Sequence, residues 1–356
     1  GRARWLAGEG FRAAEWDEAS EIAAGVVRYG LVAWEADDGS AAVSAAVGEL
    51  GGVTLGHGSI VDGYASGLDV DHGHLGAQVR AARGALAFEA LVDDVIAPRI
   101  GGARMSWRAA ERVELGAQLA GDRAAPEMAM DGAPGSAMVA AAALDAALLA
   151  GGEEDRARGA LYADLVGLIG LGAGAHLGAR GELAIGDGGA RASARGELRA
   201  GSGGYLPGWI GPLYERDRLQ MEGAGAGAGD MTGAGQLEVA RSGGLGGFGG
   251  LGELAIDAPG AGSARVSYAA RRGVSDLVAA HLAAPYRERV QAGLWAAARL
   301  SGARPDAMAL AAELRVRLPH SLFARAEAAH LFREEEGRPV VPIWIAQVAV
   351  GTVLGE

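Results

Sequence analysis

Cysteine, lysine and asparagine are missing from this chain of 356 residues, and threonine occurs only three times. The lack of cysteine excludes disulfides, thiolate nucleophiles and cysteine-ligated metals. The lack of lysine leaves arginine as the only permanently basic side chain. A formal charge of −12 excludes the clustered basic footprint that phosphate backbones require, so no nucleic-acid partner is expected. Aromatic residues make up only 5% of the chain. Long hydrophobic runs are absent as well: the longest candidate, MVAAAALDAALLAG, is interrupted by Asp145 and falls short of the ~20 residues of a transmembrane helix. The opening GRARWLAGEG carries no signal-peptide run, so an exported chain is expected here in processed or trimmed form.

Half of the residues are apolar, but they are dominated by alanine alongside 61 glycines, a bias that a GC-rich coding sequence would favour. Their order is more informative than their number. In RVELGAQLAGD, Arg112, Glu114, Gln118 and Asp122 occupy every second position, with Val113, Leu115, Ala117 and Leu119 between them. A strand sends successive side chains to opposite faces, so this stretch has one charged and one apolar face. The pattern recurs in HLGARGELAIG, with Arg180 and Glu182, and in ARASARGELRA, with Arg195 and Glu197. It returns in ALAAELRVRL, with Arg315 and Arg317, and in SLFARAEAAHLF, with Arg325 and Glu327. Turn punctuation such as DDGS, GDGG, APGAG and SGARPD separates the segments. Helical spacing is confined to the start, where Trp16, Ala19, Ile22, Ala23 and Val26 predict a short amphipathic helix over 12–26.

One face therefore mixes arginine with acid, strand after strand, while the other is small and apolar. A soluble sandwich shares the period but packs bulky Val, Ile and Phe inside. A barrel with a polar lumen and an apolar outer band needs the arrangement seen here, because lipid tolerates no unpaired sheet edge. The expected fold is all-β: a closed antiparallel transmembrane β-barrel of about 16 strands, within a range of 14–18. Residues 1–26 form an N-terminal segment with the short helix, and residues 27–356 form the barrel. Trp34, Trp107, Tyr162, Tyr268, Trp295 and Trp344 are the aromatics available for interfacial girdles.

GGARMSWRAAERVELGAQLAGD and PYRERVQAGLWAAARLSG resemble the hairpins of bacterial outer-membrane β-barrel proteins, and the composition is similar to that of such proteins from GC-rich Gram-negative bacteria. The resemblance covers most of residues 27–354. It implies an outer-membrane location, contact with outer-membrane lipid and assembly by the barrel insertion machinery. It supplies no catalytic residue.

Two stretches break the alternation. GGVTLGHGSIVDGYASGLDVDHGH, residues 51–74, gathers His57, Asp62, Asp69, Asp71, His72 and His74. Such groups could hold a divalent cation, but no zincin or EF-hand spacing is present, and a polar loop is the weightier reading, so no metal or cofactor is assigned. His57 between two glycines in LGHGS marks a place where backbone packs closely. The second stretch, residues 200–233, carries Tyr205, Trp209, Tyr214, Arg216 and Arg218. At this length it is a candidate either for a constriction folded into the barrel mouth or for an external docking surface. GGLGGFGGLGELAI, residues 243–256, opens no helix and is not a dinucleotide site.

The first functional reading is a porin-like passive channel for small polar solutes. Its lumen or constriction residues would be Arg112, Glu114, Arg180, Glu182, Arg195, Glu197, Arg315, Arg317, Arg325 and Glu327. The alternatives are a non-conducting barrel that anchors a multiprotein envelope complex through envelope protein partners, and a soluble all-β binding protein. An enzyme is not expected: Ser59 with His57 and Asp62 is the only local candidate for hydrolysis, and it lacks a nucleophile elbow.

Overall fold

The computed structural model describes residues 2–6, 10–11, 29–68, 74–128, 134–151, 156–186, 188–219, 235–243, 245–271, 274–286, 289–301, 304–319, 322–335 and 338–352. The segment in which the N-terminal helix is expected, 12–26, lies outside them. Two short strands come first, β1 (Arg2–Leu6) and β2 (Gly10–Phe11). Four strands of modest length follow: β3 (Tyr29–Glu35), β4 (Ala41–Gly48), β5 (Gly76–Arg83) and β6 (Leu86–Val92). Longer ones succeed them: β7 (Ile100–Ala110), β8 (Val113–Met128), β9 (Pro134–Ala150), β10 (Ala157–Leu168), β11 (Gly172–Ile185) and β12 (Ala190–Gly201). After an insertion the wall resumes with β13 (Gly247–Ala258), β14 (Gly262–Arg271), β15 (Asp276–Tyr286) and β16 (Val290–Ser301). It ends with β17 (Arg304–Arg317), β18 (Leu322–Glu335) and β19 (Arg338–Thr352).

From β3 to β19 each strand pairs antiparallel with the next, so 17 consecutive strands form one meander, one more than the central expectation and within its range. β1 then pairs with β19 on one side and β2 on the other, bringing the start of the chain against its last strand. The sheet curls around its contents. The segment after β4 reaches β10 through His57 and Asp164, and β18 through the carbonyl of Leu68, which accepts from the Phe332 N–H at 3.2 Å.

Alternation prevails over intrinsic preference in β9. Its run AMVAAAALDAALLA is rich in alanine, the best helix former, yet it is extended. Val139, Ala141, Ala143, Asp145 and Ala147 are buried toward the lumen, while Met138, Leu144 and Leu148 are 77%, 66% and 59% exposed. The exposed face continues across strands: Leu148 stands opposite Leu161, Leu144 opposite Leu165, and Leu177 opposite Leu198. Outward leucines and valines recur on β13 to β19, from Leu254 to Val350. An apolar surface of this extent on every side is untenable in water and is what a hydrocarbon layer requires. The soluble alternative gives way to a transmembrane β-barrel, the architecture of a bacterial outer-membrane protein. Of the six girdle aromatics, Trp34, Trp107, Tyr268 and Trp344 are exposed, whereas Tyr162 and Trp295 face inward because their register matches the lumen rows of Asp164 and Ala297.

Consecutive hairpins place all connections of one kind at one rim. The β3–β4, β5–β6, β7–β8, β11–β12 and β13–β14 turns lie at one end, and the two long connections, β4–β5 and β12–β13, both emerge at the other. By the usual arrangement, short turns face the periplasm and long loops the exterior. Replacing Leu165 by arginine would place a charge on the lipid face near mid-strand. It is expected to cost about 2–4 kcal/mol of folding stability in phospholipid vesicles, read from denaturant titration of tryptophan fluorescence.

Candidate lumen site: two inserted segments against a charged wall

Both long connections fold back into the barrel. The first insert is described over 49–68; the second runs over 202–219 and 235–246 apart from residue 244, with two short helices, α1 (Tyr214–Asp217) and α2 (Gln236–Arg241). The inserts pair with each other through a parallel bridge, Val61 beside Ile210. Gly208 N–H donates to the Ser59 carbonyl at 3.0 Å, Ile210 N–H to Ile60 at 2.9 Å, and Asp62 N–H to Ile210 at 3.1 Å. Backbone that leaves the sheet is thereby satisfied inside the lumen.

Gly56 and Gly58 flank His57 with φ of +57° and +74°. A Cβ at Gly56 would meet the Arg104 side chain at 2.5 Å, and one at Gly58 the Asp62 carboxylate at 2.7 Å. The close packing read from LGHGS is real, and it delivers the imidazole to the wall.

The inserts are anchored around the circumference. His57 Nδ1 lies 2.9 Å from Asp164 Oδ1 on β10, and its ring stacks on Tyr162 with centroids 3.9 Å apart. Asp62 accepts from Arg195 and Arg199 on β12, each at 3.4 Å, and Arg195 also reaches the His57 carbonyl. Tyr214 donates to Asp122 on β8 at 3.0 Å, and the Arg218 guanidinium donates to the Ala124 carbonyl at 2.6 Å. Asp217 is gripped by Arg299 on β16, with Nε 2.9 Å from Oδ2. Between the inserts, the Tyr64 hydroxyl donates to Glu215 at 2.5 Å. Apolar contacts fill the remainder: Val53, Leu55 and Trp209 pack toward β6 to β10, while Leu68 and Leu213 pack toward β13 to β19.

The expected site residues do not all meet in one place. Arg195 and Glu197 sit centrally: Glu197 accepts from Arg195, Arg199 and Tyr162. Glu114 pairs with Arg104 at 3.0 Å, and Glu182 accepts from Arg158 and Arg191, with Arg180 on the same inward row. Arg315, Arg325 and Glu327 line a cavity of about 640 Å³ on the short-turn side of the inserts, where Arg325 also meets Glu313 at 2.5 Å. Arg112 does not belong to the lumen: it lies exposed in the β7–β8 turn, one residue outside the strand that its alternation suggested. Arg317 is exposed at the rim end of β17. Tyr205, Trp209, Tyr214, Arg216 and Arg218 are all buried in the lumen, which removes them from any docking surface outside the barrel. The lumen residues expected from sequence leave out Arg104, Asp122, Asp145, Asp164, Arg199 and Arg299, the wall halves of these anchors, although Asp122 is read there as part of a charged face. Each sits at an inward strand position whose partner is remote in sequence.

Ser59, His57 and Asp62 form no catalytic relay. The His57 ring bonds to Asp164, the Asp62 carboxylate to two arginines, and Ser59 lends its carbonyl to the other insert.

No family model matches the sequence, and no curated protein does. Solved structures with similarity include Pseudomonas aeruginosa OccK8 (OprE), with 11% identity over 88% of both chains and a TM-score of 0.41. Acinetobacter baumannii OccAB3 has 10% identity over 90% of this chain and 87% of its own, with a TM-score of 0.38. Pseudomonas aeruginosa OpdK, crystallised with vanillate, has 8% identity over 90% and 87%, with a TM-score of 0.40.

Burial, reinforced by Glu215 and Asp93, pushes the Tyr64 phenol well above its ordinary value; burial and Asp122 do the same to Tyr214. The folded state then keeps two protons that the unfolded chain loses above about pH 10, so these groups cost stability as pH rises past that point. Alkaline titration of tyrosinate absorbance should show Tyr64 and Tyr214 resisting ionisation until the inserts leave the lumen, in step with protease cleavage within 202–219. Smooth titration of all seven tyrosines near the ordinary value would contradict the burial.

Proposed function

We propose that the chain is a porin-like passive channel of the outer membrane, passing small polar solutes along the charged wall beside the two inserts. The observation that carries this reading is the cavity of about 640 Å³. It is bounded by Arg265, Arg315 and Arg325 together with Glu253, Glu313 and Glu327, and these side chains come from the wall rather than the inserts. Charged side chains lining an aqueous space favour polar solutes over apolar ones. Contact with outer-membrane lipid and assembly by the insertion machinery belong to the same proposal. No catalytic role is part of it.

A second reading has its own support. Both inserts pack with apolar side chains against β6 to β10 and against β13 to β19, which supports a plugged, non-conducting barrel; in this reading the barrel would anchor an envelope assembly. Planar-bilayer recording separates the two. The channel reading expects discrete conductance steps from the unmodified chain. It also expects the double variant Arg315→Gln/Arg325→Gln to shift the reversal potential in a salt gradient toward cation preference, with the barrel's heat-modifiable mobility unchanged. Silent bilayers with a correctly inserted barrel would favour the anchor.

A further inference from the structure

Asp145 on β9 and Asp164 on β10 are directly opposed across neighbouring strands, both on the lumen face. Like charges so placed repel each other and destabilise a sheet unless a cation stands between them. The first insert places His57 there. Its Nδ1 lies 2.9 Å from Asp164 Oδ1 and 3.9 Å from Asp145 Oδ1, and one ligand atom from each residue falls within 4.8 Å of the other two.

The surroundings leave negative charge over. Arg104 is shared among Asp145 at 2.7 Å, Glu114 at 3.0 Å and Glu89 at 3.9 Å, and the exposed Arg80 meets Glu89 at 3.6 Å. Four carboxylates thus face two guanidiniums. Among the described residues Asp164 has no arginine partner, and its Oδ2 is fully buried with no hydrogen-bond partner. A buried carboxylate oxygen with an open lone pair is costly to maintain and is a free coordination position.

We infer that His57, Asp145 and Asp164 form a binding site for a divalent transition-metal ion of the zinc class, which staples the first insert to the barrel wall. One imidazole nitrogen and two carboxylate oxygens are a borderline donor set that suits such ions better than calcium or magnesium, which take oxygen ligands in larger number. The ion neutralises the two excess negative charges. Tyr162, stacked on the imidazole, fixes the ring plane, and Arg104 orients the Asp145 carboxylate, the supporting roles that metal ligands ordinarily receive. His57, Gly56 and Arg104 also border a second cavity of about 580 Å³, the side from which an ion, and a water for its fourth position, would reach the imidazole. The site is independent of whether the lumen conducts, since it joins an insert to two strands in either case.

The test uses the untagged full chain in detergent micelles, stripped by chelator and dialysed against zinc chloride with total metal quantified. The expected result is one zinc per chain, with Asp164→Asn weakening binding at least about tenfold. The double variant His281→Ala/His330→Ala should leave binding unchanged. Retained heat-modifiable mobility shows that a variant has folded. Should Asp164→Asn fail to fold, cobalt added to the stripped unmodified chain decides: the intense visible absorption of a tetrahedral nitrogen–oxygen site supports the assignment, and the weak spectrum of an octahedral ion overturns it. Absence of stoichiometric zinc in the unmodified chain, or undiminished binding by folded Asp164→Asn, overturns it equally.

Discussion

The backbone of a membrane-spanning sheet has no water to bond, and the rest of this molecule follows from that constraint. Strands in such a sheet need partners, so the chain runs as a long antiparallel meander from β3 to β19, and β1 pairs with β19 and β2. Side chains are then divided by parity. One parity meets lipid and is filled mainly by leucine, valine and alanine; the other meets the lumen and takes most of the charges that the described strands carry. A helix-favouring run such as β9 is held extended by pairing with both neighbours rather than by any preference of alanine for strands.

The lumen poses the reverse problem. Segments inserted there are removed from bulk water, so their polar groups need partners on the wall. The chain meets this need with arginine, whose planar fork of donors bonds several acceptors at once. Arg104, Arg195, Arg199 and Arg299 each bind more than one acceptor or acid, and buried tyrosines donate to carboxylates at Glu197, Glu215 and Asp122. Apolar side chains of the inserts take up the space between these anchors. What results is a barrel whose interior is partly protein core and partly charged cavity, and both functional readings grow from that division.

Much of the architecture is legible in the sequence because parity is a local property. RVELGAQLAGD shows its two faces without reference to any other strand, and the breaks at 51–74 and 200–233 mark the segments that leave the wall. LGHGS also announces a tight approach, although not what is approached. The wall halves of the anchors are not legible. Asp145 reads as an interruption of an apolar run and Asp164 as an unremarkable inward position, and only the pairing of β9 with β10 sets them opposite each other beneath His57. Tyr162 and Trp295 look like girdle residues until register assigns them to the lumen. Rim positions such as Arg112 are misread because alternation continues through a turn while the strand does not.

The account stands on the inserts being packed inside the barrel rather than standing outside it. Peptide-resolved hydrogen exchange in detergent micelles measures this most directly, because the amides of Val53, Asp62, Gly208 and Ile210 are bonded within the lumen. The structure predicts exchange in 53–66 and 205–218 as slow as in β10 and β11. Exchange in both segments as fast as in the exposed β11–β12 turn would contradict it.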